Sequence, residues 1–361
     1  MLAAEARLEE VALFRALPAL AGSVPWVRLG HWPTPVEELP VGANVWVKRE
    51  DRSSPVYGGN KVRTLEAVFG RAIAAGAERI WATGAYGSNH AVATVLHAPA
   101  AGLAGGLAMF PQPRSSPAIE NLLAALSVRP ALEVMSSPLV LPLVMRRLRR
   151  ADAGNFVMAP GGATPDGTLG AMSAALELAE QVAAGVLPAP ARIVLPVGST
   201  CTTAGMLVGL CLARRLGIGF SRAPRVVAVR VTPWPITSVP MILALAARSA
   251  RLIRELAGDV ADIGVRELHS LLEVETHQFG GHYGLVTARG WRALHAFRRA
   301  GGPPLDIVYS AKAAAALLEL VDRGEPGPLL FWATKSSAPL PVASPGDVAR
   351  APEVMRRWLR G

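Results

Sequence analysis

A lone lysine follows two glycines and an asparagine at the predicted start of a helix. Lys61 ends the run Gly58-Gly59-Asn60-Lys61 in a chain whose 37 Lys and Arg residues include only four lysines. Unlike arginine, lysine can lose its proton when it is desolvated and then act as an amine nucleophile. We interpret Lys61 as the Schiff-base anchor of an aldehyde cofactor. The alternative is a solvated lysine, which the helix dipole disfavours at a helix start.

A second loop combines glycine with hydroxyl side chains between a predicted strand and a predicted helix. It consists of Gly198, Ser199, Thr200, Cys201 and Thr202. Backbone N–H groups and hydroxyls at a helix N-terminus can hold a phosphate, and the helix dipole favours the anion. The loop has neither the Walker spacing nor the G-x-G-x-x-G spacing. It therefore predicts a cofactor monophosphate rather than a nucleotide.

A turn that follows another predicted strand offers a binding place for a carboxylate. Ser88 and Asn89 stand at a helix start, where free backbone N–H groups can hold such an anion. The alternative is simple N-capping by one of these side chains. His90, taken alone, is more typical of a structural histidine than of a catalytic base.

The tyrosines are few and fall in loops rather than in predicted core strands. The chain has four of them, and Tyr283 and Tyr309 are candidates for acid–base or substrate-positioning groups. Ser310 and Thr334 are candidates for a hydrogen bond to a ring nitrogen. A lysine, a phosphate cradle, a carboxylate turn and loop tyrosines together fit pyridoxal phosphate and an amino-acid substrate.

Composition excludes several other classes of protein. The net charge is +10, but the arginines are scattered and no nucleic-acid motif appears, so we expect no nucleic-acid partner. The two cysteines form neither a disulfide framework nor a metal motif, and we expect a reducing, cytoplasmic setting and no bound metal. No apolar run reaches the length of a membrane span, and the first residues lack the pattern of a signal peptide.

Short apolar segments rich in β-branched residues alternate with Ala/Leu-rich segments of helical periodicity. Repeated βα units of this kind predict an α/β fold with two open parallel-sheet lobes, helices on both faces and a site in the cleft between lobes. The predicted strands are Val45–Arg49, Arg79–Thr83, Gly106–Phe110, Leu132–Met135, Phe156–Ala159, Ile193–Val197, Val226–Val231, Leu272–Thr276 and Leu329–Ala333.

Taken in order, the motifs resemble a known family of pyridoxal-phosphate enzymes, the 1-aminocyclopropane-1-carboxylate deaminase / D-cysteine desulfhydrase family. Its fold is tryptophan synthase β-like, also called fold type II. The stretches that carry the resemblance are Lys48–Asp51, Gly58–Lys61 with Arg63, Ser88–His90, Ala159–Gly162 and Leu305–Lys312. We assign residues 1–64 and 173–361 to a larger cofactor-binding lobe, and residues 65–172 to a smaller lobe inserted in it.

The resemblance implies a role for each matching residue. Lys61 forms the Schiff base and moves the α-proton, Asn89 contacts the ring hydroxyl, and Ser88 holds the substrate carboxylate. Our predicted cofactor-binding residues are Asn60, Lys61, Asn89, Gly198, Ser199, Thr200, Cys201, Thr202, Ser310 and Thr334. Our predicted substrate-binding residues are Ser88, Asn89, His90, Tyr283 and Tyr309. Lys61, Tyr283 and Tyr309 are the predicted catalytic residues. The resemblance also implies a homodimer.

Three departures from the family pattern narrow the predicted chemistry. The phosphate loop lacks the usual adjacent glycines at Thr200 and Cys201, which restricts positive φ angles. Lys335 stands in a stretch where many relatives carry His-Thr-Gly-Gly. Ser310 replaces the acidic residue of the cyclopropane deaminases, which favours elimination over ring opening.

We therefore predict a D-cysteine desulfhydrase-like α,β-elimination on a small amino acid, giving a 2-oxo acid and ammonia. The alternatives are a cyclopropane-carboxylate deaminase, a β-replacement synthase or racemase, and a catalytically degraded cofactor-binding protein. The altered phosphate loop and Lys335 favour the last of these.

Overall fold

The computed structural model describes residues 8–258 and 262–361, and strands and helices alternate through most of this part. The strands are β1 (Val36–Glu38), β2 (Val45–Lys48), β3 (Arg79–Ala85), β4 (Ala104–Phe110), β5 (Ala131–Val134), β6 (Asn155–Val157), β7 (Arg192–Val197), β8 (Arg225–Arg230), β9 (Leu272–Glu275) and β10 (Leu329–Trp332). The helices are α1 (Ala12–Ala16), α2 (Lys61–Ala74), α3 (Asn89–His97), α4 (Ser116–Leu126), α5 (Leu141–Ala151), α6 (Pro165–Ala183), α7 (Cys201–Arg215), α8 (Val239–Ala257), α9 (Val265–Leu271), α10 (Ala288–Arg299), α11 (Ser310–Asp322), α12 (Pro345–Ala349) and α13 (Glu353–Arg360).

The strands form two separate sheets, as the alternation predicts. A 6-stranded sheet has the order β1-β2-β10-β7-β8-β9, and a 4-stranded sheet has the order β5-β4-β3-β6. All pairings are parallel except β1 with β2, which is antiparallel. The central strands are buried on both faces, which is why their sequences are continuous apolar runs rather than alternating ones.

Helices cover both sheets and complete the hydrophobic cores. α6, α7 and α8 pack on one face of the larger sheet with Leu195 and Leu207 in their shared core, and α10 and α11 cover the other face around Phe297 and Phe331. A third core surrounds the smaller sheet and includes Phe69 of α2. The prediction of two α/β lobes with helices on both faces is therefore confirmed.

The smaller sheet lies entirely between residues 79 and 157, within the segment assigned to the inserted lobe. The boundaries of the two lobes, 1–64 with 173–361 and 65–172, stay a prediction. Residues 1–7 of the predicted larger lobe lie outside the described residues. In the part of the chain that the structure describes, no helix is both long and apolar enough to cross a membrane.

A buried ion cluster fixes helix α2, whose first residue is Lys61. Arg63 donates to Glu50 at 2.7 and 2.8 Å and to Glu177 at 2.8 Å, and all three side chains are almost fully buried. The guanidinium of Arg63 also lies 3.7 Å from the centre of the Trp32 ring. Because α6 supplies Glu177, the cluster joins the start of α2 to α6 and holds that helix end in place.

Candidate active site

A cavity of about 320 Å³ opens between the two sheets at the carboxyl ends of β3, β7 and β10. This is where open α/β sheets bind ligands. Every predicted site residue except Ser310 lines it: Asn60, Lys61, Ser88, Asn89, His90, Gly198, Ser199, Thr200, Cys201, Thr202, Tyr283, Tyr309 and Thr334. The structure thus brings together residues that are up to 274 positions apart (Thr334 and Asn60).

Lys61 enters the cavity through a backbone path that only small residues allow. A Cβ on Gly58 would lie 2.2 Å from the carbonyl oxygen of Asp51. Gly59 has a φ of +95°, and a Cβ there would lie 2.4 Å from the carbonyl oxygen of Thr334. The two glycines let the loop pass close to its neighbours, so that the first residue of α2 lies at the cavity.

The amine of Lys61 has few partners. Its Nζ donates to the carbonyl oxygen of Gly161 at 3.3 Å, and no ion pair with a carboxylate is found among the described residues. Burial lowers the pKa of this amine from its ordinary value. A lysine with a lowered pKa and no counter-ion is suited to act as a nucleophile and as a base.

The phosphate loop surrounds the N-terminus of α7. Thr200 adopts a left-handed conformation with φ of +69°, so its side chain does not prevent the positive φ angle that we expected it to restrict. The thiol of Cys201 donates to the carbonyl oxygen of Gly162 at 3.2 Å. The first residues of α7, Cys201 to Thr203, line the cavity, and the free backbone N–H groups of a helix N-terminus are suited to bind an anion.

Two side chains support this loop. The Asn60 amide donates to the hydroxyl of Thr202 at 2.7 Å, which ties the lysine loop to the phosphate loop. The hydroxyl of Thr203 is buried without a hydrogen-bond partner among the described residues and lines the same cavity. A cradle of helix N–H groups with an unpaired hydroxyl beside a nucleophilic lysine fits a phosphate-bearing aldehyde.

The two predicted tyrosines form a pair on the cavity wall. The hydroxyl oxygens of Tyr283 and Tyr309 are 2.6 Å apart, and their ring planes meet at 76°. Burial raises the pKa of both phenols. Both therefore stay protonated at neutral pH, and the shared hydrogen bond lets one of them donate a proton to a bound molecule.

Ser310 is not part of the cavity wall. It is fully buried, and its hydroxyl donates to the carboxylate of Asp306 at 2.9 Å. Asp306 also accepts the backbone N–H groups of Val308 and Tyr309 at 3.1 and 2.6 Å, which fixes the position of Tyr309. The predicted contact of Ser310 with the cofactor ring stays a prediction.

The turn at Ser88 combines capping with binding groups. The Ser88 hydroxyl accepts the N–H of Ala91 at 3.3 Å, as an N-cap does, and it also faces the cavity. His90 is almost fully buried, and neither ring nitrogen has a partner among the described residues. Burial and the charge of Lys61 lower the pKa of His90 to about 3, so its imidazole is neutral.

Sequence reasoning missed one group on the cavity wall and one behind it. The hydroxyl of Thr83, at the end of β3, is buried on the cavity wall and has no hydrogen-bond partner among the described residues. Its position at the carboxyl end of a strand is the signal that could have found it. Asn121 of α4 bonds to the Asn89 side chain at 2.8 Å, and no local motif marks it. In residues 8–258 and 262–361, no three His, Cys, Asp or Glu side chains form a metal-binding group.

Comparisons with known proteins agree with this geometry. A family model described as "Pyridoxal-phosphate dependent enzyme" matches residues 27–332. The chain is 36% identical over 326 residues to nocardicin C-9′ epimerase of Nocardia uniformis subsp. tsuyamanensis, covering 88% of this chain and 94% of the relative. It is 27% identical over 318 residues to D-cysteine desulfhydrase of Salmonella paratyphi C, covering 83% and 90%. A crystal structure of an ACC deaminase homologue superposes with a TM-score of 0.74 at 28% identity, covering 91% of this chain and 95% of that one.

Proposed function

Because the chain belongs to the family of pyridoxal-phosphate-dependent enzymes, we propose that it is a lyase or deaminase acting on a small amino acid. The reaction is a D-cysteine desulfhydrase-like α,β-elimination in which the α-proton and the group on Cβ leave, and water then releases a 2-oxo acid and ammonia. The observation that carries the proposal is the single cavity in which Lys61, the phosphate cradle and the Tyr283–Tyr309 pair meet.

The cofactor is pyridoxal 5′-phosphate, which, when bound, withdraws electrons from the α-carbon of an amino acid. In our proposal Lys61 is its covalent anchor, and the loop from Gly198 to Thr202 holds its phosphate. Asn89 and Thr334 line the same cavity and would contact the ring of the bound cofactor.

The side chains of the cavity supply the proton transfers. The amine of Lys61, with its lowered pKa, removes the α-proton of the substrate. The Tyr283–Tyr309 pair donates a proton to the group that leaves Cβ, because both phenols remain protonated at neutral pH. The N–H groups around Ser88 and the free hydroxyl of Thr83 hold the substrate carboxylate.

A second candidate is epimerisation at the α-carbon. The 36% identity to an epimerase favours it. The first step is the same, but the proton returns to the α-carbon from a different acid, and no group leaves Cβ. A tyrosine of the pair is the candidate for this second acid.

The visible absorption spectrum of the purified protein, wild type beside Lys61→Ala, tests the cofactor site. We expect a yellow band in the wild type that borohydride reduction fixes to the protein and that the variant lacks. A colourless wild type that takes up no added pyridoxal phosphate would overturn the proposal. A bound cofactor whose spectrum responds to no amino acid would instead favour a catalytically degraded protein.

A screen of D- and L-amino acids in D₂O separates the two reactions. Elimination gives 2-oxo acid, and with cysteine it also gives sulfide. Epimerisation gives only inversion and deuterium at the α-carbon. For Tyr309→Phe we expect elimination to slow by roughly 10²- to 10⁴-fold while α-proton exchange persists, because Lys61 is intact. Loss of both in equal measure would contradict the assignment of the tyrosine as acid.

We also propose that the protein is a homodimer in the cytoplasm. The family resemblance supports the dimer, and two free, buried cysteines fit a reducing compartment. Light scattering of the purified protein tests the assembly.

A further inference from the structure

Lys335 is a lysine behind the cavity wall rather than on it. It follows β10, and its Nζ lies 3.4 Å from the Oδ1 atom of Asn121 and 5.7 Å from the centre of the Tyr57 ring. It forms no ion pair among the described residues; burial lowers the pKa of its amine, and the charges of Asp306 and Glu120 oppose this effect. Its cation is therefore directed at a neutral amide.

Asn121 connects Lys335 to Asn89, which lines the cavity. Its Nδ2 donates to the backbone carbonyl of Gly87 at 2.9 Å and to the Oδ1 atom of Asn89 at 2.8 Å. The Asn121 amide is thus fully oriented, with its oxygen toward Lys335 and its nitrogen toward Asn89. The direction of donation runs from the cation to the cavity.

Asn89 is the last member of this chain of hydrogen bonds. Its Oδ1 atom accepts from Asn121 and also from the hydroxyl of Tyr57 at 2.9 Å. With the oxygen occupied twice, the amide cannot turn over, and its Nδ2–H group is left for the cavity that Asn89 lines. Hydrogen bonds in such a chain polarise one another, so a cation at the far end makes this donor stronger.

We propose that Lys335 is a positioning residue that acts through Asn121 to direct and strengthen the Asn89 Nδ2–H donor toward an anionic oxygen of the bound cofactor. The inference rests on the proposed cofactor site. It gives a function to a cation that has no ion-pair partner among the described residues, and it involves no contact between Lys335 and the substrate.

The test is a pH titration of the visible absorbance of the holoenzyme without substrate. A weaker donor leaves more negative charge on the cofactor, so its proton is held more tightly. We expect Lys335→Met to raise the midpoint pH of the absorbance change by about half a unit to one unit. Asn121→Leu should raise it by a similar amount, and the double variant by no more than either single one. Lys335→Arg, which keeps the cation, should restore at least half of the shift.

Lys312→Met is the matched control. Lys312 also lies in the field of Asp306, but it donates to the carbonyl oxygen of Phe279 at 2.6 Å and not to Asn121. We expect a midpoint close to that of the wild type. Circular dichroism checks that each variant folds; Lys335→Gln replaces the Met variant if that one does not.

Three outcomes would overturn the inference alone: an unchanged midpoint in Lys335→Met, a shift in Lys335→Met but none in Asn121→Leu, or an equal shift in Lys312→Met. Each requires a wild type with a normal cofactor band. A wild type without that band overturns the proposed function, and this inference with it.

Discussion

Two lysines near the start of α2 have opposite surroundings, and Lys48 has the complete set of partners. It is fully buried, and its Nζ donates to the Glu177 carboxylate at 2.5 Å, to the Thr34 carbonyl at 2.8 Å and to the Gln181 side chain at 2.7 Å. An ammonium group has three donors, and here each has an acceptor. The cation is part of the architecture that joins β2 to α6.

Lys61 has almost none of these partners. It makes one long hydrogen bond, to the carbonyl of Gly161, and no carboxylate among the described residues pairs with it. Burial lowers the pKa of both lysines, but only at Lys48 do carboxylates, those of Glu177 and Glu50, oppose the effect. Two histidines of α3 show the same contrast. His97 has a ring nitrogen 2.9 Å from the carbonyl oxygen of Tyr57, whereas His90, on the cavity wall, has no partner among the described residues.

The contrast teaches how this fold separates stability from reactivity. Partnered charges join β2, α2 and α6 to one another, and their hydrogen-bonding groups are already occupied. Three of the side chains without a hydrogen-bond partner among the described residues, those of Thr83, His90 and Thr203, line the cavity, where a bound molecule would supply what is missing. Sites of this kind cost stability in the free protein, so the two regions should respond in opposite ways to the same substitution.

The largest expected effect is on the stability of a pair of matched variants. Lys48→Met leaves the buried Glu177 with one cation instead of two, and we expect unfolding free energy to fall by about 3–5 kcal/mol. Lys61→Met removes a cation that has no counter-ion, and we expect stability of the cofactor-free protein to stay the same or to rise by about 1 kcal/mol. Urea unfolding of both cofactor-free variants measures the difference.

If Lys61→Met lowered the unfolding free energy by several kcal/mol, the contrast between Lys48 and Lys61 would be wrong, because Lys61 would then also have a structural role. Equal, small effects in both variants would show that water or rearrangement compensates for the missing partner of Glu177.

A smaller effect is expected when the protein is acidified. Burial alone would raise the pKa of Glu177, but Arg63 and Lys48 outweigh burial and bring it down to about 2. Because the folded pKa lies below the unfolded one, this carboxylate stabilises the fold above about pH 4.5, and that stabilisation is lost as the pH falls through the folded pKa. The unfolding free energy of Glu177→Gln, measured between pH 6 and 3, should not show this part of the decrease on acidification.

Glu66 is the matched carboxyl for that experiment. It is equally buried, but it accepts N–H groups rather than pairing with a buried cation, and burial raises its pKa. Its contribution to stability has the opposite sign: it is present at low pH and is lost as the pH rises through the folded pKa. The unfolding free energy of Glu66→Gln should therefore still decrease on acidification. If Glu66→Gln removes that decrease as fully as Glu177→Gln does, the decrease does not come from the ion cluster.

Most of the fold was readable from local sequence, and the exceptions have a common cause. The nine predicted strands are all present, because buried parallel strands are short runs of β-branched residues. Strand β1 was missed, since Val36–Glu38 carries two glutamates beside prolines and pairs with β2 only through the tertiary fold. Helices α1, α9, α12 and α13 were missed for a related reason: each has at most eight residues, and α13, for example, packs its apolar side on the smaller lobe through Met355.

The candidate site divides in the same way. Lys61, the phosphate loop and the tyrosines stood out because each has an unusual residue type in a glycine-bearing loop. Asn121 could not be found, since it lies in an ordinary Ala/Leu-rich helix and meets Asn89 only across the folded lobe. Nothing in the local sequence indicates that the Ser310 hydroxyl donates to the Asp306 carboxylate and lies behind the cavity wall.

The smallest predicted effect concerns backbone strain at the cavity. Thr200 has a φ of +69°, which costs a β-branched residue about 1–2 kcal/mol, whereas Asn44, at +54° before β2, is a residue type that tolerates this conformation. Thr200→Gly exchanges the strain for about 0.5–1 kcal/mol of chain entropy, so we expect a net gain of up to about 1 kcal/mol. Asn44→Gly has little strain to release and should give no gain in urea unfolding. If Thr200→Gly also gives no gain in unfolding free energy, the contacts of the threonine side chain outweigh its strain. The phosphate loop would then belong with Lys48, among the parts of the molecule that hold the fold together.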